Sequence, residues 1–580
     1  MKNKFLLVFF ASLFFAQSHA SVVINEVMVK NVSAVVNDDF NYVGWVELHN
    51  TGNDSADVSN YYFSDEKNDA FKWEIKAGGR LIAPNGFAVF YFDELDKDFH
   101  ANFKLDADGG VIYLIDNQGN VSDEVKYPAP FRNASYGRLT DGSGEFATLS
   151  ASSPNATNAG ASACSSQAAK PVFSVQSGFY KSELSVSIMS ETTGAKIYYS
   201  TDGSEPSAGK SALYEGEIKI SKTTPLRAIA VTEGAVPSEI ATASYFINSR
   251  EVKLPVVSIV SDSLHLYDEE LGMLVAGVNG SKAPSQCADS YANYWNDWDR
   301  AANFEFFNMD KEPMINQEVK IGNFGACSRT KFVKSIKVNT SKVFGNNKIN
   351  CPFFPEKPNL KCKSVVLRNS GNDFGRSYLR DAFMQSLLID RVDIDHQAYQ
   401  PSVVFINGNY YGMLNIRERS NKDFIYANHG LDEDEFVIIE GSDKSSEDEA
   451  YRELITILES DSVNTDAAFE RINELVDIDE TLNYFMAQIY YANTDWPGGN
   501  IKCWRKNDGG KFRYILYDTD FGYSLYGANY STNGFSQASK NPVFAGLMKN
   551  DAIKSILANK FVVHLASTFE TDRAISLLEE

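Results

Sequence analysis

Over residues 21–150 the apolar positions fall in short runs that suit strands. They are Val22-Val23-Ile24, Trp45-Val46-Glu47-Leu48, Phe87-Ala88-Val89-Phe90-Tyr91 and Val111-Ile112-Tyr113-Leu114-Ile115. Between them stand Asn50-Thr51-Gly52, Pro84-Asn85-Gly86, Asp108-Gly109-Gly110 and Asn117-Gln118-Gly119, all turn formers. Short strands broken this often by Gly, Asn and Asp predict a β-sandwich. Residues 151–170 are rich in Ser, Ala and Asn and read as a linker. A second small β-region is expected over residues 171–248, with strands at 196–200 and 226–231. The turn Thr201-Asp202-Gly203-Ser204-Glu205-Pro206 separates them, Gly supplying a positive φ and Pro a fixed one. From about residue 254 the pattern becomes mixed. Strand-like runs at 364–367, 402–406 and 411–416 alternate with helical ones, and Tyr451, Leu454, Ile455 and Leu458 share one helical face. Asp479 is placed to cap a helix over residues 480–491, because its carboxylate can accept from the free amides of the first turn.

The next pattern carries chemistry. Residues 501–505 and 511–517 predict a hairpin around Asn507-Asp508-Gly509-Gly510. A hairpin brings its open ends together, so Asn500 and Asp518 should be neighbours. Asp495, on the loop before the hairpin, and Asp520, two residues past it, should join them. Three carboxylates and one amide then converge. Like charges raise one another's pKa unless something neutralises them. Hard oxygens of this kind suit Mg²⁺ or Mn²⁺, above all where phosphate oxygens complete the shell. Capped turns or a calcium-stiffened loop in a non-catalytic domain would use the same residue types.

Composition narrows the class. The 580-residue chain is too long for one core. With 54 Lys and Arg against 76 Asp and Glu its formal charge is −22, which repels nucleic acid and anionic lipid. Lys2 and Lys4, the apolar stretch 5–15 and Ser18-His19-Ala20 form a signal peptide over residues 1–20, with cleavage expected after Ala20. No later stretch is long and apolar enough to cross a bilayer, so no transmembrane anchor is expected once the leader is removed. Export, to the periplasm, the cell surface or the medium, places the six cysteines in an oxidising compartment. Cys351 with Cys362 and Cys287 with Cys327 are the expected disulfides. The histidines, His396 among them, lack metal-ligand spacing, and no nucleophile elbow for acyl transfer is present.

Three resemblances rest on these residues. Ile24-Asn25-Glu26-Val27, Trp45-Val46-Glu47-Leu48-His49-Asn50 and Ser64-Asp65 resemble a lamin-tail domain, in which Glu26 and Glu47 are read as structural rather than as an acid/base pair. Tyr199-Ser200-Thr201-Asp202-Gly203-Ser204-Glu205-Pro206 with Leu226-Arg227-Ala228-Ile229-Ala230 resembles the immunoglobulin-like domain appended to chitobiases. Asn493-Thr494-Asp495-Trp496-Pro497-Gly498-Gly499-Asn500 and Tyr517-Asp518-Thr519-Asp520-Phe521-Gly522 are similar to signatures of the CotH family of atypical protein kinases. So are 366–373, Leu379-Arg380-Asp381, 407–412 and Ile416-Arg417-Glu418-Arg419. The fold class these imply is two N-terminal immunoglobulin-like sandwiches followed by an α+β kinase-like domain over residues 254–580. The helical pattern still running at 577–580 is read as the end of a fragment.

The resemblance to CotH proteins implies an exported enzyme that moves phosphate from ATP to protein Ser or Thr with Mg or Mn. Asp495 would orient or deprotonate the acceptor hydroxyl, and Asn500, Asp518 and Asp520 would bind metal, with Asp518 and Asp520 rivals for the main ligand. The cation on the phosphates would be Arg368, with Lys334 and Lys337 as rivals and Asp381 as acidic partner. Glu418 would stand at the nucleotide hinge or in a surface ion pair. No Gly-x-Gly-x-x-Gly loop is present, and Phe344-Gly345-Asn346-Asn347 is the candidate phosphate cover. The His-Arg that ordinarily precedes the catalytic Asp is replaced by Asn493-Thr494. Two rivals remain: a kinase-like pseudoenzyme in adhesion or envelope assembly, with carbohydrate or envelope contact through the N-terminal modules, and a carbohydrate-active enzyme working with paired carboxylates.

Overall fold

The structure is a computed structural model that describes residues 22–76, 81–358, 361–441 and 446–579. The expected signal peptide lies outside the described residues. The chain forms two compact units. One runs to Ala169 and takes in residues 192–195 and 230–239; the other holds the remainder.

Two larger sheets form the core of the first unit. Val22–Met28 lies between Tyr136–Thr140 and Gly44–Asn50, and the larger sheet continues through Phe87–Phe92. The smaller sheet orders Val121–Tyr127, Gly110–Ile115, Tyr62–Ser64 and Trp73–Glu74. Pairing of Val46 with Phe90 and Leu48 with Ala88 sends these side chains to one face, where they meet Phe63, Trp73, Ile112 and Leu114 of the other sheet. The period of two in the sequence is therefore the period of this core.

Residues 151–170 are not a free tether. The Ser153 amide donates to Glu26 and the Asn155 amide to Glu47 Oε2 at 2.6 Å. The side chain of Asn158 donates to the Arg138 carbonyl at 2.8 Å. Glu26 and Glu47 pair across neighbouring strands and are fully buried, so donors must be folded onto them. That need makes the Ser- and Asn-rich stretch part of the unit.

The second unit begins with a five-stranded sheet ordered Gly178–Tyr180, Ala241–Ile247, Thr224–Val231, Lys196–Ser200 and Ala212–Leu213. The region expected as a separate domain over 171–248 thus belongs mostly to the same compact unit as the C-terminal half. Phe246 stacks on Phe179 at 4.4 Å and meets Phe405 edge-on at 4.9 Å. The Ser244 and Ser258 hydroxyls bond at 2.8 Å.

Seven strands then close a barrel, in the order Val256–Val260, Arg300–Phe307, Pro313–Phe324, Ser335–Asn339, Ser364–Arg368, Asn409–Arg417 and Tyr399–Ile406. The last pairs in parallel with the first, Val256 opposite Val403. Beyond the barrel, helices Glu449–Glu459, Asp466–Leu475 and Ile478–Tyr490 enclose a core with the sheet Asp395–His396, Arg513–Leu516, Lys502–Lys506 and Phe436–Glu440. Tyr451, Leu454, Ile455 and Leu458 are buried together as their spacing predicts. The cap of Ile478–Tyr490 is Asp477, not Asp479. The Asp477 carboxylate accepts the Glu480 amide at 3.2 Å, while Asp479 lies inside the first turn and pairs with Lys560.

Candidate active site

The predicted hairpin forms, with Lys502–Lys506 antiparallel to Arg513–Leu516 and Cys503 opposite Tyr514. On the loop before it, Trp496 is buried and donates through Nε1 to the Tyr484 hydroxyl at 2.8 Å, which fixes the stretch that carries Asp495. The Asn500 side chain donates to Asp495 Oδ2 at 3.1 Å. Asn500 and Asp518 both sit in the left-handed region, at φ +55° and +52°. Non-glycine residues held there store strain that the surrounding fold must impose.

Asp495, Asn500, Asp518 and Arg368 all line one cavity of about 650 Å³. Arg368 ends the strand Ser364–Arg368, and its guanidinium contacts Asp518 and lies 3.4 Å from Asp520 Oδ2. The two aspartates differ in access: the Asp518 side chain is 27% exposed, that of Asp520 only 1%. Asp520 also accepts the Asn372 amide at 2.9 Å. Burial, then the charge of Asp518, pushes the Asp520 carboxyl up to about 7 against the opposing pull of Arg368. Burial, then Asp518, also raises Asp495.

The Asn369-Ser370-Gly371-Asn372 turn fits closely over this pair. Gly371 has φ +57°, and a Cβ there would lie 2.6 Å from Asp520 Oδ2 and 2.9 Å from the Arg368 guanidinium. Glycine is the residue that allows the approach.

Other expected site residues are placed differently. Asp381 does not pair directly with Arg368. It forms an ion pair with Arg417 at 2.8 Å and accepts the Thr519 amide at 2.8 Å, so it positions the segment between Asp518 and Asp520. Burial opposes its ionised form, but Arg417 and Arg368 more than offset this and hold its pKa well below the carboxylate range. Lys334 and Lys337 do not line the cavity. Lys334 donates to the Lys331 carbonyl and lies over Tyr294, and Lys337 pairs with Asp297 at 2.6 Å and Asp299 at 3.3 Å. Glu418 lines the cavity but is no surface ion pair: it is 3% exposed and accepts Lys357 at 2.6 Å, Asn428 at 2.7 Å and the Ala398 amide at 2.9 Å.

The wall formed by a small-residue turn is Gly325-Ala326-Cys327-Ser328, between Pro313–Phe324 and Ser335–Asn339, and not residues 344–347. The signal in the sequence is a run of small residues between two strands, masked by the lack of a glycine repeat. Cys327 is bonded to Cys287, as expected. Cys351 and Cys362 are free, buried thiols instead. The short ladder between them sets Cys362 opposite Ile349, which offsets Cys351 by two positions.

Among the described residues no three His, Cys, Asp or Glu side chains form a group placed to hold a metal ion. No helix among them is long and apolar enough to cross a membrane.

Comparison with known families gives three matches, in chain order. The Lamin Tail Domain model matches residues 16–129. The Chitobiase/beta-hexosaminidase C-terminal domain model matches residues 175–242. The CotH kinase protein model matches residues 322–580, which contain every cavity residue named above. No curated protein matches the chain.

Proposed function

We propose that this kinase-like protein is an exported atypical protein kinase that transfers phosphate from ATP to Ser or Thr of a protein acceptor. One observation carries the reading: Arg368 bridges Asp518 and Asp520 at a cavity that Asp495 and Asn500 also line. The Cys287–Cys327 bond agrees with an oxidising compartment.

The residues fit a small divalent cation. Magnesium is commonly held by one or two carboxylates and completes its shell with phosphate and water, so a trio of protein acids is not required. Asp518 and the Asn500 amide oxygen would supply hard donors at the cavity, with the buried Asp520 behind them. The ion, when bound, would neutralise charge on the transferring phosphoryl group. Arg368 would leave the carboxylates and take phosphate oxygens, for which its planar fork is suited. Asp495, raised by burial and Asp518, would accept a hydrogen bond from the acceptor hydroxyl and take its proton. Asp381, anchored on Arg417, would hold the Asp518-Thr519-Asp520 segment in register.

The test is transfer of labelled phosphate by the full chain with ATP and Mg²⁺ or Mn²⁺. The Asp518→Ala, Asp520→Ala double variant should abolish it. A wild-type chain that binds no nucleotide and labels no acceptor contradicts the proposal. The ion pairing of Arg368 with both aspartates also suits a pseudoenzyme, which would bind nucleotide and transfer nothing.

A further inference from the structure

Beside the cavity stand two groups of rings and cations, linked through the chain between Phe374 and Arg376. Phe521 lines the cavity and packs on Tyr526 at 4.9 Å. The Arg376 guanidinium lies 5.4 Å over the Tyr526 ring. Two residues earlier in the chain, Phe374 meets Phe332 edge-on at 5.4 Å, and the Lys331 ammonium lies 5.9 Å over Phe374. Phe332 is 83% exposed and Tyr526 59%. Exposed rings grouped beside a cavity form a surface that a partner can cover.

The backbone adds an independent sign. Tyr523, Ser524 and Tyr526 all have positive φ, at +47°, +69° and +50°. Each such residue costs free energy, and three in four positions persist only where the fold imposes them. The last of the three carries the Tyr526 ring that packs on Phe521.

Charge selects the occupant. In a chain of net charge −22, Lys331 and Arg376 rest their cationic heads on rings rather than on carboxylates. Cations over ring faces remain open to an anion on the far side. We propose that this surface docks an extended acidic segment of the acceptor polypeptide, its Asp or Glu side chains on Arg376 and Lys331 and its apolar side chains on Tyr526 and Phe332. The placement rests on the kinase reading, because it assigns the surface to the acceptor rather than to the nucleotide. Extended peptides gain affinity from such pockets at alternate positions.

The experiment uses the full chain and three fluorescent Ser-containing peptides, identical except that the flanking positions are Asp/Glu, Asn/Gln or Lys. Binding is read by anisotropy and transfer by labelled ATP. The acidic peptide should bind about tenfold more tightly than the amide version. Arg376→Glu should erase that preference, and Tyr526→Ala should weaken all three peptides, with KM for ATP unchanged in both. Equal binding of the neutral or Lys peptide, or a preference that survives Arg376→Glu, overturns the proposal. An acidic preference without any transfer supports the docking surface and removes the kinase reading alone.

Discussion

Two of the acid groups among the described residues have opposite surroundings. In the first unit Glu26, Glu47 and Asp141 are closed off by donors. Asn25 gives its amide to Glu47 and Asp141, each at 3.1 Å, and the backbone of 153–158 gives three more N–H groups. In the second unit Asp518 and Asp520 share a guanidinium, and Asp495 and Asp518 face a cavity. Neutral donors satisfy a carboxyl for good and favour a structural role. In the second cluster an arginine is shared by two carboxylates at a cavity, and one of them, Asp518, stays partly exposed. The two clusters differ in the type of partner and in access, not in the number of acids.

Removing the cavity acids tests the proposed kinase reading first. Asp518→Ala should lower phosphate transfer about a thousandfold while leaving the melting temperature within a few degrees, since the side chain is partly exposed. Asp495→Asn should behave alike, with nucleotide affinity retained. Unfolding by denaturant separates the positioning pair: Arg417→Met leaves Asp381 buried without its cation and should cost about 3–5 kcal/mol. A smaller loss, about 1–3 kcal/mol, is expected for Gly371→Ala, from the clash with Asp520 and the positive φ. Its transfer rate should fall as Asp520 is displaced.

The closed cluster predicts a pH effect of definite sign. Burial raises Glu26 to about 7 and Glu47 to about 8, so the folded state binds protons more tightly than the unfolded one. Their contribution is full below about pH 4.5 and is lost as pH climbs through 7 to 8, at about 1.4 kcal/mol per pH unit for each proton. Thermal unfolding of the first unit should therefore ease between pH 5 and 8.5. Glu47→Gln should flatten that slope whatever it does to the baseline. A melting temperature that rises over this range would show that the two glutamates are ionised and paired.

Local patterns are legible in the sequence. The hairpin is marked by Asn507-Asp508-Gly509-Gly510, and the helix face by Tyr451, Leu454, Ile455 and Leu458, because each depends on neighbours within a few positions. Placing Asp495, Asn500 and Asp518 together needs the hairpin alone. The partners of those acids are less legible. Arg368 reaches Asp518 across 150 residues, and Asp381 takes Arg417 rather than Arg368. Nothing in spacing distinguishes two arginines on adjacent strands. The cap at Asp477 escapes notice because Asp479 offers the same side chain two positions on. The stretch after residue 150 looks like a linker because Ser and Asn also suit donors to a buried carboxyl, and only the pairing of Glu26 with Glu47 reveals that use.

The central claim is that Asp518 turns a cation-bridged acid pair into a nucleotide site. Calorimetric titration of the full chain with ATP, with and without Mn²⁺, measures it directly. Binding should require the metal and should vanish in Asp518→Ala. Binding that is absent from the wild type, or indifferent to both metal and substitution, contradicts the claim.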